Sequence, residues 1–600
     1  MRTLLQHINS LNSKERTIIA SNLGFHNPMK ASVKDIYSRM ASYMGIELIF
    51  SQCSAEEIAI LKLLSVSDLH YRDIEHTLHI PIQQIEKIAQ SLTKKSITYI
   101  LKNRQLLSNK LDRICLFNEI RQHINLLDIN NFQNYCKQII KQLVINKKND
   151  ETLLNISESA KRFFTLCIHR GGIVSAAYAI QTLGINKVFG ILDELTKNNV
   201  ISIGHIVTGR FYSIIMANPD YMSYKIMEKS NFINNHFMAL IAMLDSYDCI
   251  ISKGLFLTQE GNLRKSDFDK IMKSIQPISI HTTKSRLTNQ QTAQLSLYLL
   301  YILKCLTISQ TNVNAILTPI KKMLLNPHQI ITQILNSLSA PEHQLFVNPF
   351  NIKSDNLHEI LHIIKKYSNS TIQLCTYIYF ITSLPELLFH SQLNIDDYYD
   401  TIEILTNNTI DFLTALGIVE IKNNKVALND IGRSILLHEK KSDITTRSIY
   451  INPDFSLVIP YHEVPSEVSY ILLSFTEIIS TDVTVYSKFS KTAMLHAIKR
   501  GMNPDIFINT LEQYTRNQFP QNIKFQLNEW IDHTPTITIQ RGIILTSTTK
   551  GFIDELSHSQ IKNVIVERLG ENHVMIHESQ LDAVIKYAQK KEAVINIYLQ

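Results

Sequence analysis

Three side chains within five residues offer the sharpest chemistry in this sequence. His358-Glu359-Ile360-Leu361-His362 would set two imidazoles on one face of a helix with a carboxylate between them. That spacing can hold zinc and let the glutamate polarise a metal-bound water, with Glu386 downstream as a third ligand. The same helix has a simpler account. Leu357, Ile360, Leu361 and Ile364 form an apolar stripe, which leaves His358, Glu359 and Lys366 toward solvent. A solvated helix face is therefore the favoured reading, a zinc metalloprotease is kept as an alternative, and no metal or other cofactor is expected.

Other catalytic signatures are missing from the sequence. It has no Gly-x-x-x-x-Gly-Lys-Ser/Thr loop, no Gly-x-Gly-x-x-Gly turn between strand and helix, and no Gly-x-Ser-x-Gly elbow. A nucleotide-driven motor is thus not expected, and the chain reads as a non-enzyme. The seven cysteines, Cys53, Cys115, Cys136, Cys167, Cys249, Cys305 and Cys375, contain no Cys-x-x-Cys pair. Odd in number and set mostly among apolar residues, they read as buried reduced thiols.

Amides and lysines at helical spacing suggest contact with nucleic acid. Gln83, Gln84, Lys87, Gln90, Ser91, Lys94 and Lys95 fall off the apolar stripe Ile82, Ile85, Ile88, Ala89 and Leu92. Lys102 and Arg104 follow in a turn. Such side chains suit base edges and phosphates. Gln84, Lys87, Lys94, Lys95, Lys102 and Arg104 are the candidate DNA-binding residues.

The elements around them follow the order of a winged helix, in which a third helix and a hairpin can face DNA. Helices at Ile58–Leu64 and Tyr71–Leu78 precede the Pro81 helix. Ser96–Leu101 alternates as a strand, and Gln105–Leu107 can return. A second copy runs from Ser157 to Ala217, with Phe163, Phe164 and Cys167 on its first helix. Asn186 is expected to cap its third helix, and a Thr208-Gly209 turn its hairpin. The second copy offers Lys187 and Lys197 but also Asp193 and Glu194. A third copy spans Ile395–Leu437, with Asn407, Asn408, Thr409 and Asp411 exposed and little positive charge. These two copies read as architectural or protein-contacting.

Six hundred residues allow about four domains. The expected division is an opening helical segment (1–50), winged-helix-like units (51–110, 157–220 and 391–445), a helical spacer (111–156), a helical region (221–390) and a C-terminal α/β domain (446–600). The fold class is α+β, predominantly α. A net charge of +7 permits an acidic partner without demanding one. The two most apolar stretches, Leu295–Ile308 and Ile372–Leu384, fall short of the ~20 residues a membrane span needs. The N-terminus lacks a signal-peptide pattern, so a cytoplasmic location without membrane contact is expected.

The C-terminal domain has its own punctuation. Phe455, Leu457 and Ile459 alternate as in a strand. Val468, Ile471, Leu472, Phe475 and Ile479 suggest one continuous helical stripe. Ser490 and Gly501 can bound a helix, Asn503-Pro504 starts the next, and Pro520 opens a third with Ile523, Leu527, Trp530 and Ile531 inward. The combination of Gly501, Leu511, Thr515 and Phe519-Pro520-Gln521-Asn522, with an Asn452–Phe455 opening that includes Asp454, resembles the bacterial helicase-associated domain. That family is similar to the N-terminal domain of XPB-type DNA helicases. The resemblance covers about a quarter of the chain. It implies an adaptor that works beside an XPB-type helicase in DNA repair or transcription, with these residues shaping the partner-docking module and no catalytic role assigned to them. A stand-alone winged-helix DNA-binding regulator is the other alternative.

Overall fold

Runs of apolar residues at helical spacing, cut short by caps, build most of this protein. The computed structural model describes residues 3–101, 112–122, 124, 126–145, 156–207, 211–222, 232–233, 237–260, 262–276, 278, 287–308, 312–316, 326–338, 346, 348–352, 354–367, 370–390, 394–422, 425–439, 447–460, 463–481, 484–532, 543–548, 551–559 and 564–591. The chain is predominantly helical with small antiparallel sheets. It divides into two compact units, Met1–Lys524 and Phe525–Gln600.

Four stretches of the first unit repeat one chain order: helix, short strand, helix, helix, strand, strand. The first repeat comprises Ala55–Val66, Leu69–His70, Tyr71–Leu78, Ile82–Lys94, Thr98–Leu101 and Arg113–Leu116. The second comprises Glu158–His169, Ile173–Ser175, Ala176–Leu183, Ile185–Lys197, Ile201–Val207 and Phe211–Ala217. The third comprises Met238–Lys253, Leu255–Phe256, Lys265–Ser274, Asn289–Ile302, Leu306–Ile308 and Asn312–Ala315. The fourth comprises Ser354–Lys366, Ser370–Thr371, Ile372–His390, Ile395–Ala415, Val419–Lys422 and Lys425–Leu428. In every repeat the last strand lies between the other two. The fourth sheet gains an outer strand, Phe232–Ile233, beside Val419–Lys422.

Several boundaries differ from expectation. The strand that returns to Thr98–Leu101 is Arg113–Leu116, later than Gln105–Leu107, whose positions lie outside the described residues. The third helix of the second repeat is capped by Gly184 at φ +75°, a conformation open to glycine, and not by Asn186. The stretch 221–390, read as helical, holds the whole third repeat with its strands. The fourth repeat begins at Ser354, so the expected unit 391–445 is only its second half. The opening helices share one core with the first repeat: Leu4, Ile8, Ile36, Met40 and Phe50 join Ile58, Leu61, Ile74, Ile85, Leu92 and Ile114.

A four-stranded sheet with helices on one face closes the first unit. Strand Ser456–Pro460 pairs with Tyr450–Ile451 and with Thr484–Phe489, which in turn pairs with Thr476–Thr481. The helix Ser466–Ser474 stops at Phe475, and Ile479 lies in a strand at a bulge, 58% exposed. The continuous stripe expected through Ile479 is thus broken. Ser490 caps Lys491–Arg500, Gly501 ends it at φ +96°, and Asn503 caps Pro504–Tyr514, as the residue types require. Helix Gln521–Asp532 runs across the boundary between the two units, so the stretch 446–600 is shared between them. The second unit forms a three-stranded sheet with His573–Ile576 in the middle, over a core of Ile553, Val564, Val574, Ile576 and Val584.

Buried charge ties the closing sheet module to the third repeat and to the helix Pro327–Ser337 that follows it. Asp248 lies 3.3 Å from Arg500 and 3.1 Å from His496, and His328 lies 3.0 Å from Glu467. The Arg500 guanidinium also donates to the Ser474 carbonyl. Phe237 meets both His328 and Tyr470 edge-on. Burial lifts the Asp245 carboxyl to about 7 against the pull of Arg500.

Among the described residues no helix is long and apolar enough to cross a membrane. Leu295–Ile308 is instead the end of the helix Asn289–Ile302 and the strand Leu306–Ile308 of the third repeat, and Ile372–Leu384 is part of a helix of the fourth.

Candidate nucleic-acid interface

The third helix of the first repeat is held from three sides by its own sequence. Ser54 and Glu57 form a capping box that fixes the first helix. Glu57, 4% exposed, also accepts a 2.6 Å bond from Lys95. Lys95 donates further to the Gln52 carbonyl. Burial would raise the Glu57 pKa, but hydrogen bonds from Lys95, Ser91 and Ser54 outweigh it and hold the carboxylate below its ordinary range. Lys95 is therefore a structural cation, contrary to its expected place on the DNA-facing side. Gln84 is likewise occupied, donating to Glu56 at 2.7 Å.

What remains outward is a clean stripe. Ile85, Ile88, Ala89 and Leu92 are buried, while Gln83, Lys87, Gln90 and Lys94 are all exposed. Their spacing of four, three and four residues puts them in one line, about 17 Å long at the helical rise. Lys102 and Arg104 lie outside the described residues. Arg113 was not singled out from sequence, since its strand follows a stretch with no clear period. It stands exposed on the returning strand, with its guanidinium 3.1 Å from His70 Nε2.

The other third helices differ. In the second repeat Lys187 is exposed, but Lys197 pairs with Asp193 and Glu194 holds Ser157. Arg39 from the opening helices covers Phe189 of that helix. In the third repeat Asn289–Ile302 is buried on nearly every side. In the fourth, the first turns of Ile395–Ala415 expose Asp397, Asp400 and Glu403, and Asp400 pairs with Arg170. Thr409 and Asp411 are buried and Asn407 and Asn408 half-buried, so this run is not the open face expected of it.

His358, Glu359 and His362 sit exposed on the first helix of the fourth repeat, above buried Leu357, Ile360, Leu361 and Ile364. The His358 ring bonds through Nδ1 to the Ser354 carbonyl at 2.7 Å. Glu386 is exposed on the next helix. Among the described residues no group of three or more His, Cys, Asp or Glu side chains is placed to hold a metal ion. The zinc-protease pattern is thus not completed into a three-ligand site. Six of the seven cysteines are buried and Cys53 is half-buried, and burial pushes the Cys53 thiol up to about 12.

In the closing module the residues that carry the resemblance do structural work. Leu511 and Thr515 are buried, and Thr515 pairs with Ile449 beside the first strand. Asp454 accepts from the backbone and hydroxyl of Ser456, which holds its carboxyl below the ordinary range. Pro520 supplies the carbonyl that receives the first amide bonds of helix Gln521–Asp532. Phe519 and Trp530 are half-buried, and Gln521 and Asn522 are exposed. Compared with known protein families and with curated proteins, the sequence matches none.

Proposed function

We propose that this chain is a non-catalytic DNA-binding adaptor built of winged-helix-like repeats. The first repeat lays its third helix against duplex DNA, and the closing module, which resembles the N-terminal domain of XPB-type DNA helicases, docks such a helicase for repair or transcription. The observation that carries the DNA contact is the Gln83–Lys87–Gln90–Lys94 stripe on an otherwise well-anchored helix. Two lysines supply phosphate charge, and two amides match the adenine edge in the major groove. The helicase partner rests on the resemblance, carried most clearly by 497–532, whose caps and buried Leu511 and Thr515 give it a stable shape.

The DNA half is tested by fluorescence anisotropy of the full chain with a labelled duplex. Lys87→Ala/Lys94→Ala is expected to weaken binding and to lower the salt slope by about two, one per lost phosphate contact. The partner half is tested by affinity capture with the tagged full chain from nuclease-treated native cells. Recovery of an XPB-type helicase supports the adaptor. Duplex binding without it favours the stand-alone regulator.

A further inference from the structure

Among the described residues, helices cover only one face of the closing sheet module. Leu457, Ile459, Val485 and Phe489 point inward and are buried, with Phe489 against Phe507. Cross-strand partners share a face. On the opposite face Tyr450 pairs with Val458, Val458 with Tyr486, and Tyr486 with Ser480, so one row crosses all four strands. Tyr486 is 49% exposed. At the near end Arg516 sets its guanidinium 5.6 Å from the Tyr450 ring centre and donates to the Tyr450 hydroxyl. Lys488 is exposed one register step along, opposite Ser456 and Glu477.

We infer that this row is a stacking platform for single-stranded nucleic acid. The two tyrosines are two strands apart, about 10 Å at ordinary strand spacing, so each would take its own base. Aromatic rings on an open four-stranded sheet stack bases with little regard to sequence, because every base has a π-face. Arg516 adds a planar cation beside the first ring, and Lys488 a charge for the backbone. The acidic groups nearby are engaged locally: Glu477 accepts from Ser490 at 2.6 Å, and Asp454 accepts from Ser456 at 2.7 Å. They bound the platform on the Lys488 side and leave the row from Arg516 to Tyr486 as the path. A protein strand added at the sheet edge is a poorer fit. One edge is engaged by Thr515 and Asn517, which pair with Ile449 and Ile451, and at the other Gln276 reaches the Ile478 carbonyl. The platform is independent of the first repeat's stripe and of the helicase partner.

The test is anisotropy of the full chain at low salt with labelled oligothymidylate and oligouridylate. Binding of either is expected, the tighter one telling DNA from RNA. Tyr450→Ala and Tyr486→Ala should each weaken it about 5- to 100-fold. Tyr486→Phe should keep it, since stacking needs the ring and not the hydroxyl. Lys87→Ala/Lys94→Ala should weaken it less than Tyr450→Ala/Tyr486→Ala does. Tyr486 is exposed, so its loss should not disturb the fold, which a thermal melt of each variant checks. The inference is overturned if the wild-type chain binds neither oligomer or if Tyr450→Ala/Tyr486→Ala binds as tightly as wild type. It is equally overturned if the tyrosine variants lose only a captured protein.

Discussion

The first and third repeats share a chain order and a sheet order, yet they use their third helices in opposite ways. In the first, Ile82–Lys94 buries one stripe and turns Gln83, Lys87, Gln90 and Lys94 to solvent. In the third, Asn289–Ile302 exposes only Asn289, Gln290 and Gln294 fully and buries residues 295–300. The first helix of the third repeat, Met238–Lys253, is buried almost as thoroughly and bears Asp248, which grips the closing module. One repeat turns its third helix to solvent and the other builds a hub around it. The shared topology therefore assigns no role by itself, and the exposed chemistry of each helix decides it.

The contrast can be broken by substitution. Leu299, fully buried in the hub helix, should cost about 2–5 kcal/mol when cut to alanine, read by urea unfolding. Gln90→Ala, on the matching helix of the first repeat, should stay within about 0.5 kcal/mol. Equal losses would mean that the two helices are not used differently. Arg500→Ala should come next, at about 3 kcal/mol, because Asp248 would lose its guanidinium inside a buried interface. Lys95→Ala should cost about 1–3 kcal/mol by leaving buried Glu57 without its cation.

A pH effect is confined to the third repeat. Burial raises Asp245 to about 7 in the folded chain from an ordinary 3.8, with Arg500, Asp248 and His496 as its charged neighbours. Folding thus takes up a proton between these values, and this group's contribution to stability falls as pH rises from about 4 to about 7, then levels. Asp245→Asn should remove that part of the slope in unfolding curves measured across the range. An unchanged slope would place the pH dependence elsewhere.

The first two repeats were legible because their helices are amphipathic. Phe163, Phe164 and Cys167, or Val188, Ile191 and Leu195, stand at helical spacing and are buried. The third repeat was not, since helices buried all round have no polar face to give a period, and its strand Leu255–Phe256 is too short to alternate. The fourth was half seen. Its last helix and hairpin carry a clear pattern, while its first helix drew attention through His358 and His362, whose exposed positions follow from Leu357, Ile360, Leu361 and Ile364 facing inward. On the third helix of the first repeat, helical spacing was enough to place Lys87 and Lys94 on the exposed face. It could not tell Lys94 from Lys95, because the partner that removes Lys95, Glu57, lies 38 residues away. The tyrosine row is equally invisible to periodicity, since Tyr450 and Tyr486 meet only through strand register.

Lys94 and Lys95, adjacent in sequence, therefore give the most direct test of the account. The measurement is the salt dependence of duplex binding by the full chain carrying Lys94→Ala or Lys95→Ala. Lys94→Ala is predicted to lower the slope by about one with the melting temperature unchanged. Lys95→Ala should keep the slope and lower the melting temperature. A slope that falls with Lys95→Ala and holds with Lys94→Ala would contradict the assignment of this helix face as the DNA interface.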